Sequence, residues 1–143
     1  MKGILSGLTE TEVATDPLAT DGRLRGRTYA IPFEHVWTAA TRLAAGELRG
    51  WSMLSADDGE GVIEAAAEPL VWGGPHRVSI EIGLDENAQT RVDARSKSHG
   101  QHGYLGRNRR MLGRFFRRLD RSLAVEPGQI LDPTLSPAWL DPS

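Results

Sequence analysis

The chain has 143 residues and a mass of 15.6 kDa, the size of one domain. Its 39% hydrophobic and 25% charged residues are those of an ordinary globular protein and exclude collagen-like, repeat-array and wholly disordered readings. Cysteine is absent, which excludes disulfides, thiolate metal sites and cysteine nucleophiles. No apolar run approaches the roughly 18 residues of a membrane span. The start, Met1 to Leu8, lacks the length and cleavage site of a secretory signal, so a cytoplasmic location is expected.

Charge is unevenly placed. Residues 1–75 carry 6 basic and 11 acidic side chains, and residues 76–143 carry 11 and 8. Of the 17 basic residues 15 are arginine, and seven of these fall between Arg107 and Arg121. Arginine favours bidentate contact with carboxylate or phosphate, so a dense arginine face points to an anionic partner. A pI near 6.1 argues against general coating of nucleic acid.

Residues 1–24 are rich in Thr, Gly and Asp without a sustained period and read as an extended arm. Ile4, Leu5 and Leu8 could form one apolar face of a short helix there, but so short a helix needs a surface to dock against. A first strand is predicted at Arg25–Ile31. From Pro32 onward Phe33, Val36, Trp37, Ala40, Leu43 and Ala44 recur at helical spacing, with Pro32 in the first turn and Glu34 at the positive helix end. Gly46 or Gly50 ends this helix.

Trp51–Ser55 and Gly61–Glu68 read as strands joined at Asp57-Asp58-Gly59-Glu60, where Asp-Gly is a hairpin signal because both residues tolerate positive φ. Val78, Ile80, Ile82 and Leu84 then alternate with Arg77, Ser79 and Glu81, and Thr90, Val92 and Ala94 alternate with Arg91, Asp93 and Arg95. After a Gly-rich connector a long helix is predicted from Tyr104 to Leu123, with Leu105, Leu112, Phe115, Phe116, Leu119 and Leu123 as its buried stripe. The order β-α-β-β-β-β-α with hairpin-length turns predicts an α+β fold: an antiparallel sheet of about five strands with both helices on one face. The domain spans 25–123, between the N-terminal arm and a Pro-rich C-terminal arm at 124–143 that carries Ile130, Leu131, Leu135 and Trp139.

The segment Val92 to His99, followed by Leu105-Gly106-Arg107-Asn108-Arg109-Arg110, resembles the domain of unknown function 1499 family, found in bacteria and plant chloroplasts. The similarity runs from about Arg27 to Leu123 and includes the helix near Pro32, the Gly50-Trp51 strand entry and the Arg-Ser-x-Ser segment. The resemblance implies the fold and supplies no activity. The family typically has Arg and Asp where this chain has His99 and Tyr104, and an acidic pair where it has Pro75 and His76. A family site built on those groups is therefore lost or altered here.

Asn108 falls on the apolar stripe of the last helix, where a buried amide must find partners; a structural tie to the Ser96–Ser98 backbone is expected. The three glycines of Gly100–Gly106 fit a tight turn better than an anion site, since the spacing matches no phosphate-binding motif. His99 and His102, with His76, could meet at a metal or at an enzyme site with Tyr104, but no ligand motif supports this, and neither cofactor nor metal is expected. Asp57-Asp58-x-Glu60 reads as a solvated turn rather than a calcium loop.

Arg107, Arg110, Arg114, Arg117, Arg118 and Arg121 fall on overlapping turns, offset only by Asp120. The resulting expectation is a non-catalytic accessory subunit that docks onto a larger assembly. It would use the arginine helix, against an acidic protein surface or anionic lipid head groups, and the two arms through Ile4, Leu5, Leu8, Ile130, Leu131, Leu135 and Trp139. The family's chloroplast members point to an energy-transducing membrane complex as host, which would place the chain peripherally on the inner face of a membrane. The alternative is a small-molecule binding module with a pocket between sheet and last helix, lined by Trp51, Met53, Ile80 and Phe115.

Overall fold

Strict alternation in two adjacent segments organises the sheet. In a computed structural model that describes residues 10–16, 18–19, 24–68, 76–99 and 104–131, those segments become β5 (His76–Leu84) and β6 (Thr90–His99), paired antiparallel along their whole length from His76↔Ser98 to Leu84↔Thr90. The remaining elements are β1 (Glu10–Ala14), β2 (Arg27–Tyr29), α1 (Phe33–Arg42), β3 (Trp51–Asp57), β4 (Val62–Ala67), α2 (Tyr104–Ser122) and β7 (Ile130–Leu131). Among the described residues the fold is α+β, a seven-stranded antiparallel sheet with two helices.

Sheet order runs β3-β4-β5-β6-β2-β7, and β1 also pairs with β6. Thus β1 and β2 lie end to end along one edge of β6, β1 beside residues 95–99 and β2 beside residues 90–92. The residues read as an N-terminal arm therefore contribute a strand, with Val13 in the core. Ile130 and Leu131 pair with Tyr29 and Thr28, so the sheet extends past the predicted 25–123 domain on both sides and has two more strands than expected. Neither strand shows in the sequence pattern, because five and two residues are too few to display a period. Both are fixed by an edge already present.

Inward side chains from the sheet (Ile63, Val78, Ile80, Val92), from α1 and its extension (Val36, Ala40, Leu43) and from α2 (Leu112, Phe115, Phe116, Leu119) form a single core. Trp51 stacks on Phe115 at 5.7 Å between ring centroids, and Phe115 meets Phe116 edge-on at 5.2 Å. Pro32 stands just before the first helical residue with φ −57° and ψ 145°, its fixed φ feeding the chain into α1. The helix leaves through a widened turn, Leu43–Glu47, in which the Leu48 N–H donates to the Leu43 carbonyl at 3.1 Å. Gly46, at φ +136°, supplies the backbone freedom that ends it.

The opposite face of the sheet is polar and cross-linked by Arg77–Glu64 at 3.7 Å, Arg95–Glu81 at 3.5 Å, Arg91–Asp93 at 2.7 Å and Lys97–Glu12 at 3.4 Å. Its outer strand β3 carries a bulge between Met53 and Ser55 and exposes Met53 and Leu54, a geometry that blunts pairing by another strand.

Candidate functional site

Helix α2 divides cleanly. Asn108, Leu112, Phe115, Phe116 and Leu119 are fully buried. On the opposite side Arg110, Arg114, Arg117 and Arg121 follow one another at steps of four, three and four residues, with Arg118 alongside. Such steps keep side chains on one face of a helix. Arg110, Arg117 and Arg121 are exposed, and Arg114 and Arg118 half-buried. Among the described residues none of these five forms an ion pair with a carboxylate. The side chain of Arg107 lies outside the described residues.

Asp120 does not offset this face. It turns inward, accepting a hydrogen bond from the Tyr29 hydroxyl at 2.6 Å and from Arg27 Nε at 3.2 Å, while the Arg27 guanidinium sits over the Phe116 ring at 5.3 Å. Position 120 is one helical turn from Phe116, on the margin of the buried stripe, which is why it reaches β2 rather than solvent. The helix is left with adjacent like charges, each i,i+3 or i,i+4 pair destabilising it by about 0.2–0.5 kcal/mol. Converting Arg110 to Glu removes one member of the like-charged row and places a carboxylate four residues before Arg114, the favourable orientation. R110E is expected to raise the unfolding free energy by about 0.5–1 kcal/mol, measured by urea denaturation.

Burial and the hydrogen bond to ionised Asp120 push the Tyr29 hydroxyl well above the ordinary tyrosine range. A raised folded-state value means that the folded chain holds this proton more tightly than the unfolded one. The associated stability is complete below pH ~10, the ordinary tyrosine value, and is lost as pH rises beyond it, by at most about 1.4 kcal/mol per pH unit. Denaturation between pH 9 and 11.5 is expected to show this slope in the wild type and to lose it in Y29F.

A second polar group is sealed inside. His76, Ser96, Ser98 and Asn108 are each no more than 2% exposed. The Asn108 amide oxygen accepts from Ser96 Oγ at 2.6 Å and faces His76 Nδ1 at 2.5 Å, and its amide nitrogen donates to Ser98 Oγ at 3.1 Å. An amide oxygen can only accept, so His76 carries a proton on Nδ1. Asn108 thus ties α2 to β5 and β6 through side-chain hydroxyls and an imidazole, not through the Ser96–Ser98 backbone. Both polar atoms of the Asn108 amide have partners in the core.

The predicted histidine constellation is only partly placed. His76 is turned to Asn108, whereas His102 and the side chains of His99 and Tyr104 lie outside the described residues. Among the described residues no group of three or more His, Asp or Glu is arranged to hold a metal ion. Of the expected docking residues, Ile4, Leu5, Leu8, Leu135 and Trp139 also lie outside the described residues. Ile130 and Leu131, expected within a C-terminal docking arm, form strand β7 against β2. Of the residues expected to line a pocket between sheet and last helix, Trp51 and Phe115 are stacked on each other, Ile80 and Phe115 have no exposure, and Met53 is 40% exposed on the edge strand.

Open space lies elsewhere. A groove of about 570 Å³ runs between the start of α1 and the β3–β4 hairpin, bordered by Phe33, His35, Asp58, Glu60 and Leu84. Another, of about 790 Å³, lies at the end of α2, with Arg117 and Arg121 on its rim and Val125, Pro127 and Ile130 among its lining. Among the described residues no helix is long and apolar enough to cross a membrane. No family model matches the chain, and no curated protein matches it in sequence.

Proposed function

We propose that this protein is a non-catalytic docking subunit that attaches to a larger assembly by laying the arginine face of α2 against an acidic protein surface. The observation that carries the reading is the row Arg110, Arg114, Arg117 and Arg121 without a carboxylate partner among the described residues, while the helix's one acidic residue is held inward by Arg27 and Tyr29. Like charges in this density cost helix stability, and a partner's carboxylates would reverse that cost with bidentate contacts. Outside α2 the chain has 10 basic and 18 acidic residues, net −8, so attraction to an anionic surface is confined to this one face. The resemblance to the domain of unknown function 1499 family directs the search for the host first to energy-transducing membrane complexes.

The test is native purification without a tag from the source organism. The expected result is a particle far heavier than 15.6 kDa, with companions in fixed ratio, that dissociates in high salt as screening shortens the range of surface charge. A variant with Arg110, Arg114, Arg117 and Arg121 all changed to Gln is expected to run as the free chain. A wild-type chain that is monomeric in gentle low-salt extracts, or a complex indifferent to the four substitutions, would overturn the proposal.

A further inference from the structure

Resting on the docking role just proposed, we infer the form of the partner: an acidic α-helix whose carboxylates repeat at four-, three- and four-residue steps and whose end carries an apolar side chain. Two independent features of the surface lead there.

The first is the geometry of the charge. Arg110 to Arg121 spans eleven residues, which at the α-helical rise is about 16 Å, and the four guanidiniums form a row one side chain wide. A second helix packed alongside presents side chains at the same period, so each carboxylate can meet an arginine without distortion of either backbone. A flat bilayer fits this row poorly. It would bring a broad sheet of head groups against a chain that is net −8 everywhere outside α2, and a long nucleic acid meets the same obstacle.

The second is what lies at the end of the row. Arg117 and Arg121 form the rim of the 790 Å³ groove, whose lining includes Val125, Pro127 and Ile130, with Ile130 43% exposed. Two further acidic groups lie there. Asp120 is already engaged with Arg27 and Tyr29, and Glu126 repels an incoming carboxylate. This end of the surface therefore takes an apolar group, while the row before it takes acids. The order along α2, acids first and an apolar anchor last, places the partner's apolar side chain just beyond the end of its acidic run that meets Arg121. An apolar anchor in a pocket rimmed by charge pairs is a recurring form of helix recognition.

The probe is a fluorescent, alanine-rich helical peptide with Glu at four-, three- and four-residue steps and a Leu one turn beyond the last Glu. It is compared, by anisotropy with the full chain, against a peptide of equal composition whose Glu residues are spread around the helix. Phosphatidylserine vesicles and a single-stranded oligonucleotide complete the set. The patterned peptide is expected to bind at least 10-fold more tightly than the scrambled one. Charge substitution R117Q/R121Q is expected to remove most of its binding, and I130D to weaken the patterned peptide about 5-fold or more while leaving the scrambled one unchanged; circular dichroism checks that both variants fold. Equal binding of the two peptides overturns the helical register but leaves an acidic protein partner standing. Preference for vesicles or oligonucleotide over both peptides overturns the register and the docking proposal together. Binding of none of the four overturns the register, and the charge dependence of the native complex then decides the docking role separately.

Discussion

Replacing Asn108 with alanine is expected to lower the unfolding free energy by about 3–5 kcal/mol. The side chain is fully buried and makes contacts with His76, Ser96 and Ser98. Removing it takes the acceptor from the Ser96 hydroxyl, the donor from Ser98 Oγ and the Asn108 contact from the His76 ring. A buried polar group stripped of its partner costs about 1–3 kcal/mol, and the missing volume adds a small cavity. The loss is a large share of the 5–15 kcal/mol typical of a whole domain. Urea denaturation measures it. The triple change N108A/S96A/S98A removes stranded hydroxyls along with the amide, so it is expected to be less destabilised than the sum of its parts. A loss below about 1 kcal/mol for N108A would show that water reaches the cluster.

Gly61→Ala is the second large effect. The β3–β4 connection closes with the Gly61 N–H donating to the Asp57 carbonyl at 2.8 Å and the Ile82 N–H donating to the Gly61 carbonyl at 2.7 Å. Gly61 has φ +71°, and a Cβ added there runs into the carbonyl oxygen of Ile82 on the neighbouring strand. Strain in the left-handed region and displacement of β5 act together, for an expected loss of about 3 kcal/mol or more. Gly59 provides the control in the same turn. Its Cβ would meet only Asp57 Oδ1 at 3.4 Å, and its φ is outside the left-handed region, so Gly59→Ala is expected to stay within about 0.5 kcal/mol of wild type.

This pair also marks where sequence reading reached and where it stopped. Asp58-Gly59 correctly signals a hairpin, yet the positive φ falls on Gly61, because the loop is four residues long and its closing position, not its centre, must bend left. The two long strands, the helix after Pro32 and the helix from Tyr104 are legible because each repeats its pattern often enough to be counted. The buried cluster was legible in principle. The parity of Val78, Ile80 and Ile82 carries back to His76, and that of Val92 and Ala94 carries forward to Ser96 and Ser98. Three polar groups were thus aimed at the interior that the Asn108 face of α2 covers, but alternation gives the direction of a side chain, not its partner. Asp120 was misread for a similar reason: counted as charge it balances the arginines, whereas its place one turn after Phe116 sends it to Tyr29. The arginine face of α2 is a matter of helical spacing alone, and is plain from the order of residues.

The tandem placement of β1 and β2 on one edge of β6 has a consequence for assembly of the chain. The β5–β6 hairpin joins Leu84 to Thr90, only six positions apart, whereas β1 joins Ala14 to Arg95 and Glu10 to His99, 81 and 89 positions apart. Closing the longer loop costs about 2 kcal/mol more chain entropy than closing the hairpin, and nothing rewards it until β6 has an edge to offer. The four-strand meander β3 to β6 is therefore the template, and the N-terminal strand is the late arrival that must search for it. Its seam with β6 belongs, with the pairing of Thr28 to Leu131, to the late-closing hydrogen bonds of the sheet.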